Sequence, residues 1–91
     1  LSGGRFDDIL DGGEGNDRLL DSRGANTFIG GAGNDLLSGG RLNDFFFGGD
    51  GNDHINAFSG DDYVDGGAGN DRIIGSNGND ILLGGLGADY I

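Results

Sequence analysis

Apolar side chains return along this chain at a fixed interval of nine residues: Leu10, Leu19, Phe28, Leu37, Phe46, Ile55, Val64, Ile73, Leu82 and Ile91. Each is the middle of a triplet, such as Arg18-Leu19-Leu20 or Arg72-Ile73-Ile74. A triplet is too short for a helix and suits a brief strand whose middle residue points inward while its neighbours point outward. Between triplets lie six residues dominated by Gly, Asn and Asp, which tolerate the backbone angles of tight turns. The pattern therefore predicts short strands alternating with turns, with one inward side chain per strand.

Set in a nine-residue frame from Gly3, the chain reads GGRFDDILD, GGEGNDRLL, DSRGANTFI, GGAGNDLLS, GGRLNDFFF, GGDGNDHIN, AFSGDDYVD, GGAGNDRII, GSNGNDILL and a truncated GGLGADYI. The sixth position is Asp in nine units and Asn26 in the other. The even-numbered units are the regular ones, so the true period is eighteen residues, two turns and two strands. Stacking such coils at about 4.8 Å pairs each strand with the one a full coil later. Repetition of this kind identifies a solenoid before any local reading. Both ends of the sequence fall at the eighth position of a unit, Leu1 and Ile91, which reads as one segment, residues 1–91, of something longer.

Composition sharpens this picture. The chain of 91 residues has 23 glycines and no proline. With only 34% apolar residues, little side-chain volume is left for a conventional two-layer core. High glycine and charge would ordinarily suggest disorder, but a disordered linker has no reason to hold its apolar residues at fixed intervals. Sixteen acids against five arginines give a net charge of −11, which repels nucleic acid and anionic membranes and favours a cationic partner. There is no cysteine, hence no disulfide framework or thiolate metal site. No stretch has the pattern of a signal peptide or a membrane span.

The units at residues 12, 30, 48 and 66 match GGxGxDxUx in full, with U a large apolar residue, and GGLGADYI matches as far as it goes. The sequence resembles the repeats-in-toxin (RTX) calcium-binding β-roll over its whole length. The resemblance implies an all-β, right-handed parallel β-roll: a β-solenoid with eighteen residues per coil, two short parallel sheets and calcium-binding turns between them.

It also implies a ligand set. Each calcium would take the carbonyls of positions two and four and the position-six Asp from one turn. The turn one coil later would add the carbonyls of positions one and three and its own Asp. The first site would then use Gly13, Gly15 and Asp17 with Gly30, Ala32 and Asp35, and the second Gly31, Gly33 and Asp35 with Gly48, Asp50 and Asp53. The third would use Gly49, Gly51 and Asp53 with Gly66, Ala68 and Asp71, and the fourth Gly67, Gly69 and Asp71 with Gly84, Leu86 and Asp89. All-oxygen ligation with about six ligands suits calcium better than magnesium. Turn formation alone would not demand Asp at one position in nine units.

The odd row, which includes Asp8 and Asp44, is degenerate. Phe6 and Leu42 replace the third glycine, while Asp21-Ser22 and Ala57-Phe58 replace the leading pair. Its sites should be weaker, the best at Phe58, Gly60 and Asp62 against Gly75, Asn77 and Asp80, the poorest where Asn26 must serve. Arg5, Arg23 and Arg41 share position three of that row and should stack as a ladder. They either replace missing cationic charge by pairing with Asp7, Asp21 or their neighbours, or dock an anionic ligand such as a glycan or a partner's carboxylates. The outward residues of the odd strands are largely apolar, among them Ile29, Phe45, Phe47, Tyr63, Ile81 and Leu83, which predicts a face covered by another domain or partner.

Catalysis finds no support: His54, the only histidine, sits at an outward strand position with no nucleophile setting around it. The functional expectation is a calcium-binding repeat module that folds on binding extracellular calcium and serves a larger secreted toxin or enzyme. By resemblance, that protein is bacterial and leaves the cell by type I secretion. An adhesin-like or polysaccharide-binding module is the alternative. Ice binding would need a flatter, more regular face than these outward residues provide.

Overall fold

The computed structural model describes residues 8–85 and Gly87; Arg5, Phe6, Asp7, Leu86, Asp89, Tyr90 and both chain ends lie outside the described residues. Within that span the chain is all-β. Nine three-residue strands follow one another: β1 (Ile9–Asp11), β2 (Arg18–Leu20), β3 (Thr27–Ile29), β4 (Leu36–Ser38), β5 (Phe45–Phe47), β6 (His54–Asn56), β7 (Tyr63–Asp65), β8 (Arg72–Ile74) and β9 (Ile81–Leu83). They are the triplets that the nine-residue period marks.

All pairing is parallel and in register at eighteen residues. The odd strands form one sheet, β1-β3-β5-β7-β9, and the even strands the other, β2-β4-β6-β8. Leu10 faces Phe28, Phe28 faces Phe46, and Leu19 faces Leu37. The hydrogen bonding continues one residue past each strand, as in Leu36 N–H to the Asp17 carbonyl at 2.8 Å and Gly30 N–H to the Phe47 carbonyl at 2.8 Å. The architecture is a β-solenoid of eighteen-residue coils.

The molecule is only 12 Å through its thinnest dimension, so the two sheets enclose a single layer of side chains. That layer is the eighth-position column, from Leu10 to Ile73, joined by Ala57 and flanked by Leu82. Phe28 and Phe46 stack with centroids 4.7 Å apart and planes inclined by 11°, the two largest side chains in the column. Outward neighbours alternate with them as expected: β1 and β5 read exposed, buried, exposed. The outer face of the odd sheet is apolar and open, with Ile9 75% and Phe45 51% exposed. Tyr63 lies between Phe45 and Phe47 on that face, at centroid distances of 6.0 and 6.2 Å.

Candidate metal sites in the turns

Two hydrogen-bond ladders, running in opposite directions, tie each turn to its neighbours. At position six, the N–H of Asp17 donates to Asp35 Oδ1 (2.8 Å), that of Asp35 to Asp53 Oδ1 (2.9 Å), and that of Asp53 to Asp71 Oδ1 (2.8 Å). At position five the side chain reaches forward instead: Asn16 Oδ1 accepts from Asn34 N–H, Asn34 Oδ1 from Asn52 N–H, and Asn52 Oδ1 from Asn70 N–H, each at 2.8 Å. The asparagine ladder was not expected from sequence, although Asn at the fifth position of six units is its signal. Asp11 and Asp65 were also missed: each accepts the N–H two residues on, from Gly13 at 3.2 Å and Gly67 at 3.0 Å, fixing the turn's entry. Here the Asp-Gly-Gly sequence is the signal.

The aspartate ladder uses only one oxygen of each carboxylate. Oδ2 of Asp17, Asp35, Asp53 and Asp62 is buried and has no hydrogen-bond partner. A buried carboxylate oxygen left this way is costly unless a cation or proton meets it. The surroundings explain what does. At Gly12, Gly30, Gly48 and Gly66, the point where a Cβ would sit lies 2.6–3.0 Å from two oxygens: Oδ2 of the Asp in the same turn, and the carbonyl of the first glycine one coil later. A side chain there would fill the cradle those oxygens form.

The remaining carbonyls are oriented consistently. A Cβ on Gly31 or Gly33 would run into the carbonyls of Gly13 or Gly15, and the same relation joins Gly49 and Gly51 to Gly31 and Gly33. Position-two and position-four carbonyls therefore point along the stack toward the next coil. Those of position three point back: the Asp50 and Ala68 carbonyls accept the N–H of Gly33 and Gly51, each at 3.1 Å. Gly33 shows why glycine is required, since its φ is +110° and it also has no room for a side chain. Hard oxygens thus lie between successive even turns, one carboxylate Oδ2 and one backbone carbonyl at each cradle. Among the described residues no three acidic, histidine or cysteine side chains cluster, so carbonyls must complete any site. This donor set fits calcium.

Burial and mutual repulsion show in the acids themselves. Burial, opposed by the Asp35 N–H and reinforced by the charges of Asp71, Asp35 and Asp50, raises the Asp53 carboxyl to about 7. Asp62 rises to about 6, through burial first and then Asp44, Asp80 and Asp61. Asp35 is raised by burial and by Asp17. These are groups that need a positive charge to remain ionised in place.

The odd row divides in two. At residues 57–62 and 75–80 the regular backbone persists: Phe58 (φ 64°), Gly60 (101°), Ser76 (64°) and Gly78 (104°) are all left-handed, and a Cβ on Gly78 would meet the Gly60 carbonyl. These are the turns that sequence marks as the best of the row. At residues 21–26 and 39–44 only Gly24 is left-handed. There the Gly40 carbonyl is taken by Ser59 N–H (3.0 Å), and the Cβ point of Gly39 meets the Phe46 ring where an even turn has a carbonyl.

Of the arginines expected to stack as a ladder, Arg23 donates its backbone N–H to Asp21 Oδ1 at 3.0 Å. Arg41 is exposed and lines an open groove of about 390 Å³ with Ser22, Ser38, Phe58 and Ser59. Arg5 lies outside the described residues, as do Leu86 and Asp89 of the fourth predicted site, of which Gly84 contributes its carbonyl beside Asp71 Oδ2.

Comparison with known proteins agrees with this geometry. The family model described as the RTX calcium-binding nonapeptide repeat (4 copies) matches at residues 1–20, 11–46, 21–55, 38–73 and 56–91, the whole chain. Neither curated proteins nor solved structures gave a significant match.

Proposed function

Because the chain belongs to the family of RTX calcium-binding nonapeptide repeats, we propose that its even-numbered turns hold calcium in a continuous row and that ion binding drives the roll to fold. The observation that carries this reading is the buried, unpartnered Oδ2 of Asp17, Asp35 and Asp53, each of which faces a carbonyl of the next coil across the cradles at Gly12, Gly30 and Gly48. Each interior Asp serves two neighbouring sites, so Asp35, Asp53 and Asp71 link the row. Bound calcium supplies the positive charge that the facing carboxylates lack. Four ions would bring the net charge from −11 to −11 + 8 = −3.

Folding and binding are then one event. A chain with 23 glycines loses much conformational entropy on ordering, and its single-layer core offsets only part of that. Metal affinity supplies the rest. Such a module remains extended where calcium is scarce and orders where it is plentiful, which suits a segment of a larger secreted bacterial protein exported unfolded by a type I system. Any catalytic activity belongs to other parts of that protein.

The test is far-UV circular dichroism during a calcium titration from EDTA, with magnesium in parallel. A cooperative coil-to-β transition with calcium alone, near about 10⁻⁴ to 10⁻³ M, supports the reading. A spectrum already β-rich in EDTA and unmoved by calcium overturns it.

One observation favours a second role beside the first. Arg41 and Phe58 share an exposed groove edged by serines, a combination suited to an anionic sugar through a guanidinium fork and an aromatic face. Retention on an acidic polysaccharide column, lost in Arg41→Ala at saturating calcium, would support it; no retention of the calcium-loaded protein would exclude it.

A further inference from the structure

We infer that the side-chain amide of Asn26 takes the place of a cation, so that the turn at residues 21–26 closes without calcium. The inference rests on the reading that the even row takes calcium, and it concerns where that requirement stops.

Asn26 is 1% exposed and occupies position six, where the other described units have Asp. Its Oδ1 does what those carboxylates do, accepting the N–H of Asp8 at 2.9 Å, while its own N–H donates to Asp44 Oδ1 at 2.7 Å. The second branch differs. Nδ2 donates to the Arg23 carbonyl at 2.7 Å and reaches the Gly24 carbonyl at 3.4 Å, the third and fourth positions of the same turn. A carboxylate at 26 would set an anionic oxygen against those two carbonyl oxygens, an arrangement that a cation or a proton must relieve. The amide relieves it with its own hydrogens and brings no charge into the interior.

The next turn of the row is closed by protein groups as well. Gly40 N–H reaches Asp44 Oδ2 at 3.3 Å, and the Gly40 carbonyl accepts Ser59 N–H at 3.0 Å. These two turns lead into β3 and β5, whose Phe28 and Phe46 rings form the stacked pair in the core. The stacked rings of the column's two largest side chains and the two self-satisfied turns thus fall on the same stretch. Residues 21–47 carry an ion-independent clasp on the odd side, against which the ion-dependent even turns assemble. The degenerate units are in this light substituted sites.

Residue-resolved amide exchange on the whole chain tests this, in EDTA and in calcium, together with calcium stoichiometry by equilibrium dialysis. In EDTA the amides of Asn26, Thr27 and Phe45 are expected to exchange about tenfold more slowly, or slower still, than those of Asp35, Asp53 and His54. Calcium should remove the difference. Asn26→Asp should abolish the EDTA protection, regain it on calcium addition and bind one further ion; Asn26→Ala should lose the protection without gaining an ion. Equal exchange of both rows in EDTA in the wild-type protein overturns the inference, whether or not the Asp variant folds, and so does an Asn26→Asp protein whose EDTA pattern is unchanged. Absence of calcium binding by the wild type would instead defeat the reading of the even row, a separate outcome of the same dialysis.

Discussion

The backbone N–H of Asp35 donates to the carboxylate of Asp53, 2.9 Å away and one full coil further along the chain. Asp53 is at once a rung between coils and, in the proposed row, a ligand shared by two sites. The two duties can be separated. Asp53→Asn keeps an Oδ1 acceptor for Asp35 but removes the ionic oxygen; Asp53→Ala removes both. The expected order of calcium midpoints is wild type, Asn, Ala, with the Ala variant further destabilised by about 1–3 kcal/mol for the orphaned Asp35 N–H. Calcium titration followed by circular dichroism reads the order, and equal midpoints for wild type and Asn would remove Asp53 from the ligand set.

Glycine substitutions distinguish strain from steric conflict. Gly33 is left-handed at φ +110° and a Cβ on it meets the Gly15 carbonyl, whereas Gly48 has no left-handed φ and a Cβ on it meets the cradle oxygens, Asp53 Oδ2 and the Gly66 carbonyl. Gly33→Ala should cost about 1–2 kcal/mol for the backbone and more for the clash. Gly48→Ala should chiefly raise the calcium midpoint by crowding the cradle. Calcium-loaded urea midpoints and calcium titrations of the two variants check this.

The core layer is one side chain thick, so a deletion in it cannot be filled from behind. Phe46→Ala should destabilise the calcium-loaded roll by about 3–5 kcal/mol, while Phe46→Leu should cost much less. Phe58 is the opposite case, being exposed and held at φ 64°. Phe58→Gly relieves left-handed strain and should leave stability unchanged or raise it by about 1 kcal/mol, the chain-entropy cost of glycine offsetting part of the gain. Chemical denaturation of the three variants in calcium tests both signs.

Much of this fold is visible in the sequence because one residue in nine is apolar and points inward. The strand triplets, the eighteen-residue register, the core column from Leu10 to Ile73 and the opposed even turns all follow from that spacing. What the spacing could not reveal is where a second hydrogen-bonding group goes. The forward reach of Asn16 and Asn34, the Asp11 entry cap and the Asn26 Nδ2 contacts depend on side-chain rotamers set by stacked neighbours.

Acidity should act in two directions. Without calcium, Asp53 at about 7 and Asp62 at about 6 lie above the ordinary carboxylate value of 3.8, so the folded form binds more protons than the unfolded one between those values. Stability of the ion-free fold therefore falls as pH rises from about 4 to about 7. Acidification should make the chain more structured in EDTA and, because protons compete for the same oxygens, raise the calcium midpoint. Titrations at pH 5.5 and 8 distinguish this from a pH-independent midpoint, which would mean that these acids are already ionised in the ion-free state.

A solenoid of identical coils has a problem of address: a strand finds the same surface one coil away or two, and a skipped coil leaves no local fault. The even row alone would suffer from this, since GGEGND, GGAGND and GGDGND present nearly the same edge to every neighbour. The odd row does not. The Asn26 amide, the stacked Phe28 and Phe46 rings and the left-handed Phe58 give successive coils different edges. A misplaced strand would part Phe46 from Phe28 and Asn26 Oδ1 from the Asp8 N–H. The irregular row thus encodes which coil is which, and the regular row is free to repeat.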